Sequence, residues 1–156
     1  MSTTTTTATQ HLWFLDTLVS FPTAHADADG LSAIECRAPY LHGPPLHVHE
    51  TQDELFVVLD GELRVHVDGD ERRLAAGETA VLPKGVPHTF RVESAAGARW
   101  LAITTGADFE EFVRALGRPA ESDGLPPAGP PTPEQVETLV AVAAEHRIAI
   151  VGPPLA

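Results

Sequence analysis

Apolar and polar residues alternate in several short segments of the first two thirds of the chain. Residues 63–68 alternate strictly, and the runs 54–59 and 88–92 are rich in strand-forming residues. Successive side chains of a strand point to opposite faces, so this period of two predicts strands with one buried face. Asp-Gly pairs at 60–61 and 68–69 predict hairpin turns. Many short strands at this spacing predict an all-β fold, either a closed barrel or two packed sheets.

The pattern changes to a helical period after residue 105. Four apolar residues between 109 and 116 recur at helical spacing, and Thr132 followed by Pro133 predicts the start of a second helix. We take both helices as packing elements, with a lid over the mouth of the barrel as the alternative. The segments expected are a disordered tail over 1–10, a β-barrel over 11–105, and a C-terminal helical extension over 106–156 that contains a Pro-rich linker over 117–133.

Three histidines and one glutamate carry the strongest chemical signal in the chain. His47 and His49 are two residues apart and point the same way on a strand, while Glu54 and His88 each begin an apolar run. Each side chain therefore shares a face with apolar residues, where an unpartnered polar group costs roughly 2–7 kcal/mol. A single buried histidine is usually hydrogen-bonded within the core, but four such groups are better explained by a shared cation. We predict that His47, His49, Glu54 and His88 bind one metal ion.

Nitrogen and oxygen ligands of this kind suit several divalent transition metals. Ligand type alone does not choose among Fe, Mn, Co, Ni, Zn and Cu. Apolar residues on the same strand faces would form a pocket suited to a flat or apolar organic molecule, and these residues are Phe56, Val58, Phe90 and Val92. We therefore expect a small-molecule organic substrate beside the metal.

Two longer motifs contain the four ligands. They read Gly43-Pro-Pro-Leu-His47-Val-His49-(x4)-Glu54-(x6)-Gly61 and Gly77-(x5)-Pro83-x-Gly85-(x2)-His88. The first resembles the first motif of the cupin superfamily, and the second resembles its second motif. Gly43 is two residues closer to the first histidine than is usual, and Val92 replaces the Asn that often ends the second motif, but neither departure touches a ligand. The resemblance implies a small β-barrel or jelly roll that holds a metal inside one end through three His and one Glu.

A narrower resemblance extends over almost the whole chain. Residues 12–19, 106–112 and 148–154 are similar to bacterial single-domain cupins described as quercetin 2,3-dioxygenase-like. This resemblance makes a dioxygenase of a flavonol-like or other enolisable phenolic substrate the leading hypothesis, with O2 as the second substrate. It also implies that Glu54 both binds the metal and acts as the general base toward the hydroxyl group of the substrate.

Two other functions remain open at this point. One is a non-redox, metal-dependent isomerase or cyclase of a polyketide-like substrate, which would work with zinc and without O2. The other is a small-molecule-binding cupin without turnover, although a pure binder does not need four metal ligands. The sequence has no Gly-x-Ser-x-Gly turn and no glycine-rich phosphate loop. These absences place the chemistry on the metal.

Composition and charge narrow the range of partners and compartments. The 156 residues suffice for one domain with a single core. With 22 acidic and 10 basic residues, the net charge of −12 opposes binding to nucleic acid or to an anionic membrane. The single cysteine, Cys36, cannot form an internal disulfide, and the N-terminal segment lacks the basic residues of a signal peptide. We therefore expect a cytoplasmic protein.

The strand predicted over residues 54–59 is apolar on both faces. Leu55, Val57 and Leu59 lie on the face opposite Glu54. This second face must be covered by the N-terminal strand, by the C-terminal tail, or by a second subunit. Because single-domain cupins of this kind often form symmetric dimers, we expect a homodimer.

Overall fold

The computed structural model describes residues 9–23 and 29–156. Most of the tail predicted to be disordered, residues 1–10, lies outside this part. Neither helix of the described chain could span a lipid bilayer. In chain order, the elements are β1 (His11–Phe14), β2 (Thr17–Ser20), β3 (Leu31–Ala38), β4 (His47–His49), β5 (Glu54–Asp60), β6 (Glu62–Val67), β7 (Asp70–Ala75), β8 (Thr79–Leu82), β9 (His88–Val92), β10 (Ala98–Thr105), α1 (Asp108–Leu116), β11 (Arg118–Pro119), α2 (Pro133–Glu145) and β12 (Ile148–Ile150).

The strands form two antiparallel sheets that share one core. The seven-stranded sheet has the order β11-β1-β2-β3-β10-β5-β8, and the five-stranded sheet has the order β12-β4-β9-β6-β7. Buried apolar residues from both sheets belong to a single cluster. The prediction of an all-β fold with a short C-terminal helical extension is confirmed.

Alternation along the central strands explains how this core forms. In β3, Ile34 and Ala38 are fully buried, whereas Glu35 and Arg37 lie on the outer face. β10 pairs with β3 along its whole length and directs Trp100 inward, where the side chain is 2% exposed. Burying one large apolar side chain is worth about 1.5–3 kcal/mol. The repeated inward positions therefore hold the two sheets together.

The two Asp-Gly pairs make different connections. Asp68 and Gly69 close a two-residue turn between β6 and β7 with φ values of 51° and 86°, as a type I′ hairpin requires. Asp60 and Gly61 join β5 to β6, which lie in different sheets, so the hairpin prediction is wrong at this position. Gly61 has a φ of 80°, and a Cβ there would lie 2.6 Å from the carbonyl oxygen of Gly97. Only glycine suits this crossing between the sheets.

The segment after residue 105 contains both predicted helices and two short strands. α2 begins with a capping box, in which Thr132 Oγ1 accepts from the backbone N–H of Gln135 and the Gln135 side chain accepts from the backbone N–H of Thr132. β11 pairs with β1, and β12 pairs with β4, so the extension adds an edge strand to each sheet. The proposed boundary between residues 105 and 106 stays a prediction.

Two apolar surfaces are exposed in the described part of the chain. On α2, Val136 and Val140 are 41% and 43% exposed, whereas Ala143 is buried. On the outer face of the seven-stranded sheet, Leu31 and Val81 are 69% and 63% exposed, beside the outer residues of β5. The N-terminal strand and the C-terminal tail, which were considered as covers for the outer face of β5, instead extend the sheets. β1 joins one sheet and β12 joins the other. The homodimer stays a prediction.

Candidate metal centre

Three strands bring the four predicted ligands to one point between the sheets. β4 supplies His47 and His49, whose side chains share a face because they are two residues apart. β9 begins with His88, which lies opposite His47 in register. β5, in the other sheet, begins with Glu54. The structure thus places all four side chains together.

The ligand atoms of this cluster lie close together and are largely buried. One nitrogen or oxygen of each side chain lies within 4.8 Å of those of the other three. Oε2 of Glu54 lies 3.2 Å from Nε2 of His88 and 3.5 Å from Nε2 of His49. His49 and His88 are each 1% exposed, and Glu54 is 4% exposed. The four residues could therefore hold a single divalent metal ion.

Backbone carbonyls fix the protonation of two of the imidazoles. Nδ1 of His47 lies 2.8 Å from the carbonyl oxygen of Pro45, and Nδ1 of His88 lies 3.1 Å from that of Val86. A carbonyl oxygen can only accept a hydrogen bond, so each Nδ1 carries the proton. Nε2 of both rings is left with its lone pair directed into the cluster. Hydrogen bonds of this kind orient histidine ligands in metal sites.

Several buried polar atoms of the cluster have no hydrogen-bond partner. They are both ring nitrogens of His49, Nε2 of His88 and Oε2 of Glu54. The close approach of Glu54 to His88 is not a hydrogen bond, because a carboxylate oxygen and an unprotonated Nε2 are both acceptors. Leaving one such atom unsatisfied costs about 1–3 kcal/mol. One cation placed among these atoms would interact with all of their lone pairs. This set of donor atoms therefore fits a metal ion.

Burial and mutual repulsion keep the cluster in its metal-binding protonation state. Burial, and then the imidazoles of His88 and His49, lower the pKa of His47 to about 3. Burial also lowers the pKa of His49. For Glu54, burial alone would raise the pKa, but the imidazoles of His49 and His88 outweigh it and the pKa is lowered. At neutral pH Glu54 is therefore a carboxylate and His47 and His49 are neutral imidazoles, the forms that bind metals.

An apolar cavity adjoins the cluster. Phe56 and Phe90, two of the four residues predicted to form a substrate pocket, line it together with the ligand side chains. Val58 and Val92 do not border it, and both are fully buried in the core. Alternation along a strand predicts which face a residue occupies but not how far a cavity extends along that face. The role of Phe56 and Phe90 in substrate binding stays a prediction.

Much of the cavity wall comes from residues that the sequence did not single out. The rings of Trp100 and His42 lie 5.2 and 5.7 Å from that of Phe90. Phe109 of α1 packs edge-on against His49, with ring centroids 5.4 Å apart. Alternation along β10 could have identified Trp100, and the helical spacing after residue 105 includes Phe109, but no local pattern marks His42. The more distant segments that complete the wall contribute Phe14, Thr17, Leu139, Ile148 and Ile150.

Gln52 ties the ligand-bearing strands to α1. Its side chain is buried, donates to the carbonyl oxygen of Thr105 at 2.7 Å, and accepts from the backbone N–H of Phe109 at 2.9 Å. These two bonds connect the end of β10 and the first turn of α1 to the loop between His49 and Glu54. The helix that closes the cavity is thereby held against the metal cluster.

Comparison with known proteins places the similarity in the segment that carries the ligands. Residues 37–104 match the family described as "Cupin domain". Over 83 residues the chain is 34% identical to the quercetin 2,3-dioxygenase of Bacillus subtilis (strain 168). That alignment covers 53% of this chain and only 24% of the Bacillus protein.

Two solved structures share the fold at low sequence identity. KdgF from a Halomonas species superposes with a TM-score of 0.53 and 22% identity, over 58% of this chain and 79% of that protein. A Cupin_2 domain from an XRE family transcriptional regulator of Enterobacter cloacae superposes with a TM-score of 0.53 and 19% identity, over 58% of this chain and 96% of that domain. These likenesses establish a shared fold, which does not by itself select a function.

Proposed function

We propose that this chain, whose residues 37–104 match the family described as "Cupin domain", is a metal-dependent dioxygenase acting on a flavonol-like or other enolisable phenolic small molecule. The observation that carries the proposal is the cluster of His47, His49, Glu54 and His88, in which four buried atoms of the last three residues lack partners and which borders an apolar cavity. The 34% identity to the Bacillus subtilis quercetin 2,3-dioxygenase supports the choice of reaction.

The three histidines and Glu54 would together hold one divalent transition metal. His47 and His88 would bind through Nε2, because Nδ1 of each ring is hydrogen-bonded to a backbone carbonyl. When bound, the metal supplies Lewis-acid polarisation of a substrate oxygen and, if it is redox-active, a route for electrons to O2. Everything else in the reaction depends on how the surrounding side chains bind, orient and deprotonate the substrate.

Glu54 would also move a proton. Its Oε2 lies between the imidazoles of His49 and His88 and borders the cavity. The lowered pKa of this carboxyl keeps it ionised at neutral pH, so that it can accept the proton of a phenolic or enolic hydroxyl placed beside it. Deprotonation makes the substrate more electron-rich, which is the activation that attack by O2 requires.

The apolar wall would orient a flat molecule and keep water away from the reacting atoms. Phe90 lies between Phe56 and Trp100, with ring centroids 5.2 Å from each and edge-to-face geometry. Such aromatic pairs hold one another in place. Excluding water from this region strengthens the electrostatic interactions within it.

Oxygen uptake by metal-reconstituted protein tests the proposal. Protein stripped of metal and reloaded with Fe, Mn, Co or Ni is mixed with 3-hydroxyflavone and related flavonols. We expect uptake that depends on both metal and flavonol. Glu54→Gln should lower kcat at least about 100-fold, the usual contribution of a general base. Glu50→Gln, an exposed neighbour outside the cluster, is the matched control and should retain activity.

Each outcome bears on a different part of the proposal. An absence of uptake with all four metals would contradict the dioxygenase. Turnover by zinc-loaded protein under argon would instead support the non-redox isomerase or cyclase, because a dioxygenase stops without O2. Undiminished uptake by Glu54→Gln would leave the reaction in place and remove Glu54 as the base.

A further inference from the structure

A second polar group, the ring of His42, borders the cavity and is paired with Asp16 outside it. His42, in the loop between β3 and β4, lines the cavity beside Thr17 and Trp100. Its Nδ1 lies 2.5 Å from Oδ1 of Asp16, in the turn between β1 and β2. The two side chains are 10% and 34% exposed, so the pair is largely sheltered. Neither residue belongs to the proposed metal site.

Asp16 determines which nitrogen of His42 is available to a ligand. A carboxylate oxygen can only accept, so the short contact places a proton on Nδ1. Nε2 then has only the Oγ1 of Thr17 as a neighbour, at 3.5 Å, which is the limit of hydrogen-bonding distance. The Nε2 lone pair can therefore accept a hydrogen bond from a molecule in the cavity.

The backbone just before each member of the pair adopts an unfavourable conformation. Leu15 has a φ of 55° and Leu41 has a φ of 69°, a left-handed conformation that residues with side chains avoid. Both leucine side chains are about half exposed, at 46% and 52%, so packing does not compensate. Leu15 lies in the two-residue turn between β1 and β2, where a positive φ is expected, and Leu41 lies in the loop that carries His42.

His42 lies toward the end of the cavity opposite the metal cluster. Its backbone carbonyl accepts from the N–H of Val92 at 2.8 Å, four residues along β9 from His88. Four strand residues span about 13 Å. The His42 ring reaches back toward the aromatic wall, with ring centroids 5.7 Å from Phe90 and 6.4 Å from Trp100. The ring of His42 and the metal-site residues therefore border the same cavity, and Phe90 and Trp100 line the wall beside His42.

We propose that His42, positioned by Asp16, binds a hydroxyl group at the end of the substrate remote from the metal. The substrate then carries a second hydroxyl besides the enolisable one. The second hydroxyl donates to Nε2, so His42 selects for it and Asp16 holds the ring in position. This inference rests on the proposed function, because it assigns the first end of the molecule to the metal cluster.

Binding measurements without turnover test this arrangement. Zinc-loaded protein under argon is titrated calorimetrically with 3-hydroxyflavone, 3,7-dihydroxyflavone and 3,4′-dihydroxyflavone. The last two probes add one hydroxyl at either remote end, so they cover both orientations of the molecule. A hydrogen bond to Nε2 of His42 in place of the long contact with Thr17 changes affinity about tenfold. We expect at least one dihydroxylated probe to bind about tenfold more tightly than 3-hydroxyflavone.

Substitutions assign that preference to His42. His42→Phe keeps an aromatic ring without an acceptor and should reduce the ratio of the two affinities to within about twofold. His42→Gln supplies a different acceptor and should restore part of the preference. Asp16→Asn should weaken the preference, because the ring of His42 is held less firmly.

His66→Phe, on β6 outside the cavity lining, is the matched control and should behave as wild type. Zinc content and unfolding temperature report folding, and the Gln and Asn variants carry the test if His42→Phe does not fold.

The outcomes separate this inference from the proposed function. Equal affinities of wild type for the three probes, or a preference that survives His42→Phe, would overturn it. An absence of binding by all three probes would also overturn it. Oxygen uptake without a hydroxyl preference would keep the dioxygenase and remove the His42 anchor. A hydroxyl preference without uptake by any metal-loaded form would keep the anchor and remove the dioxygenase.

Discussion

Acidification is expected to destabilise the metal-free protein through His47. Burial, and then the imidazoles of His88 and His49, lower the folded-state pKa of His47 from 6.5 to about 3. As the pH falls below 6.5, the unfolded chain takes up a proton on His47, whereas the folded protein does not until near pH 3. The contribution of His47 to stability is therefore complete above pH 6.5 and is lost as the pH falls toward 3.

The size of this loss follows from the pKa difference. Each pH unit below the unfolded-state pKa is worth about 1.4 kcal/mol, so lowering the pH from 7 to 5 removes about 2 kcal/mol through His47 alone. For a chain of this length that corresponds to a decrease of about 4–8 °C in unfolding temperature. Urea unfolding of chelator-treated protein at both pH values measures this loss of stability. His47→Gln is the comparison, because glutamine does not titrate.

The comparison between the two proteins isolates His47 from all other titrating groups. Wild type should lose about 2 kcal/mol more than His47→Gln between pH 7 and pH 5. Equal losses in both proteins would refute the reasoning, because His47 would then titrate alike in the folded and unfolded chains. With zinc bound, the pH dependence of wild type should be steeper, since protons also compete with the metal for the imidazoles.

Three other measurements address the cluster and the crossing between the sheets. His88→Ala should abolish metal retention while His66→Ala keeps it, as read by elemental analysis of the purified proteins, and equal metal content would contradict the ligand assignment. Metal at 100 times its Kd should stabilise wild type against urea by about 2.7 kcal/mol, and His88→Ala should show no such gain. Gly61→Ala should destabilise the protein by more than about 1 kcal/mol, because the residue has a φ of 80° and a Cβ would lie 2.6 Å from the Gly97 carbonyl oxygen. Gly69 has a φ of 86°, and a Cβ there would have no atom within 4 Å, so Gly69→Ala should lower the free energy of unfolding by less in the same urea assay. A smaller loss for Gly61→Ala than for Gly69→Ala would contradict the packing argument.

The ligand set could be predicted because the orientation of each ligand depends on its own short strand. His47 and His49 share a face whatever the strand pairs with, and Glu54 and His88 each begin an apolar run that must point inward. The three strands must also meet at one point. This meeting was implied by the resemblance of the two motifs to those of cupins. The structure places the four ligand atoms within 4.8 Å of one another. Metal binding itself stays a prediction.

The cavity wall could be predicted only in part because strand alternation gives a face and not a depth. Phe56 and Val58 share one face of β5, but only Phe56 borders the cavity. His42 lies in a loop, where no period applies, and its orientation depends on Asp16 in a distant turn. The Asp60-Gly61 pair likewise predicted that the chain changes direction after β5. It did not indicate that β6 pairs with β7 and β9 in the other sheet.

The segment similar to known cupins contains all four candidate metal ligands but only part of the cavity wall. Residues 37–104 include Phe56, Phe90 and Trp100. The first two strands, both helices and β12 lie outside this segment and complete the wall with Phe14, Thr17, Phe109, Leu139 and Ile148. Asp16 lies outside it as well, so the proposed hydroxyl anchor combines a residue of the family segment with one that the family match does not include. The part of the cavity wall outside the family segment can therefore differ in sequence without any change in the four candidate ligands.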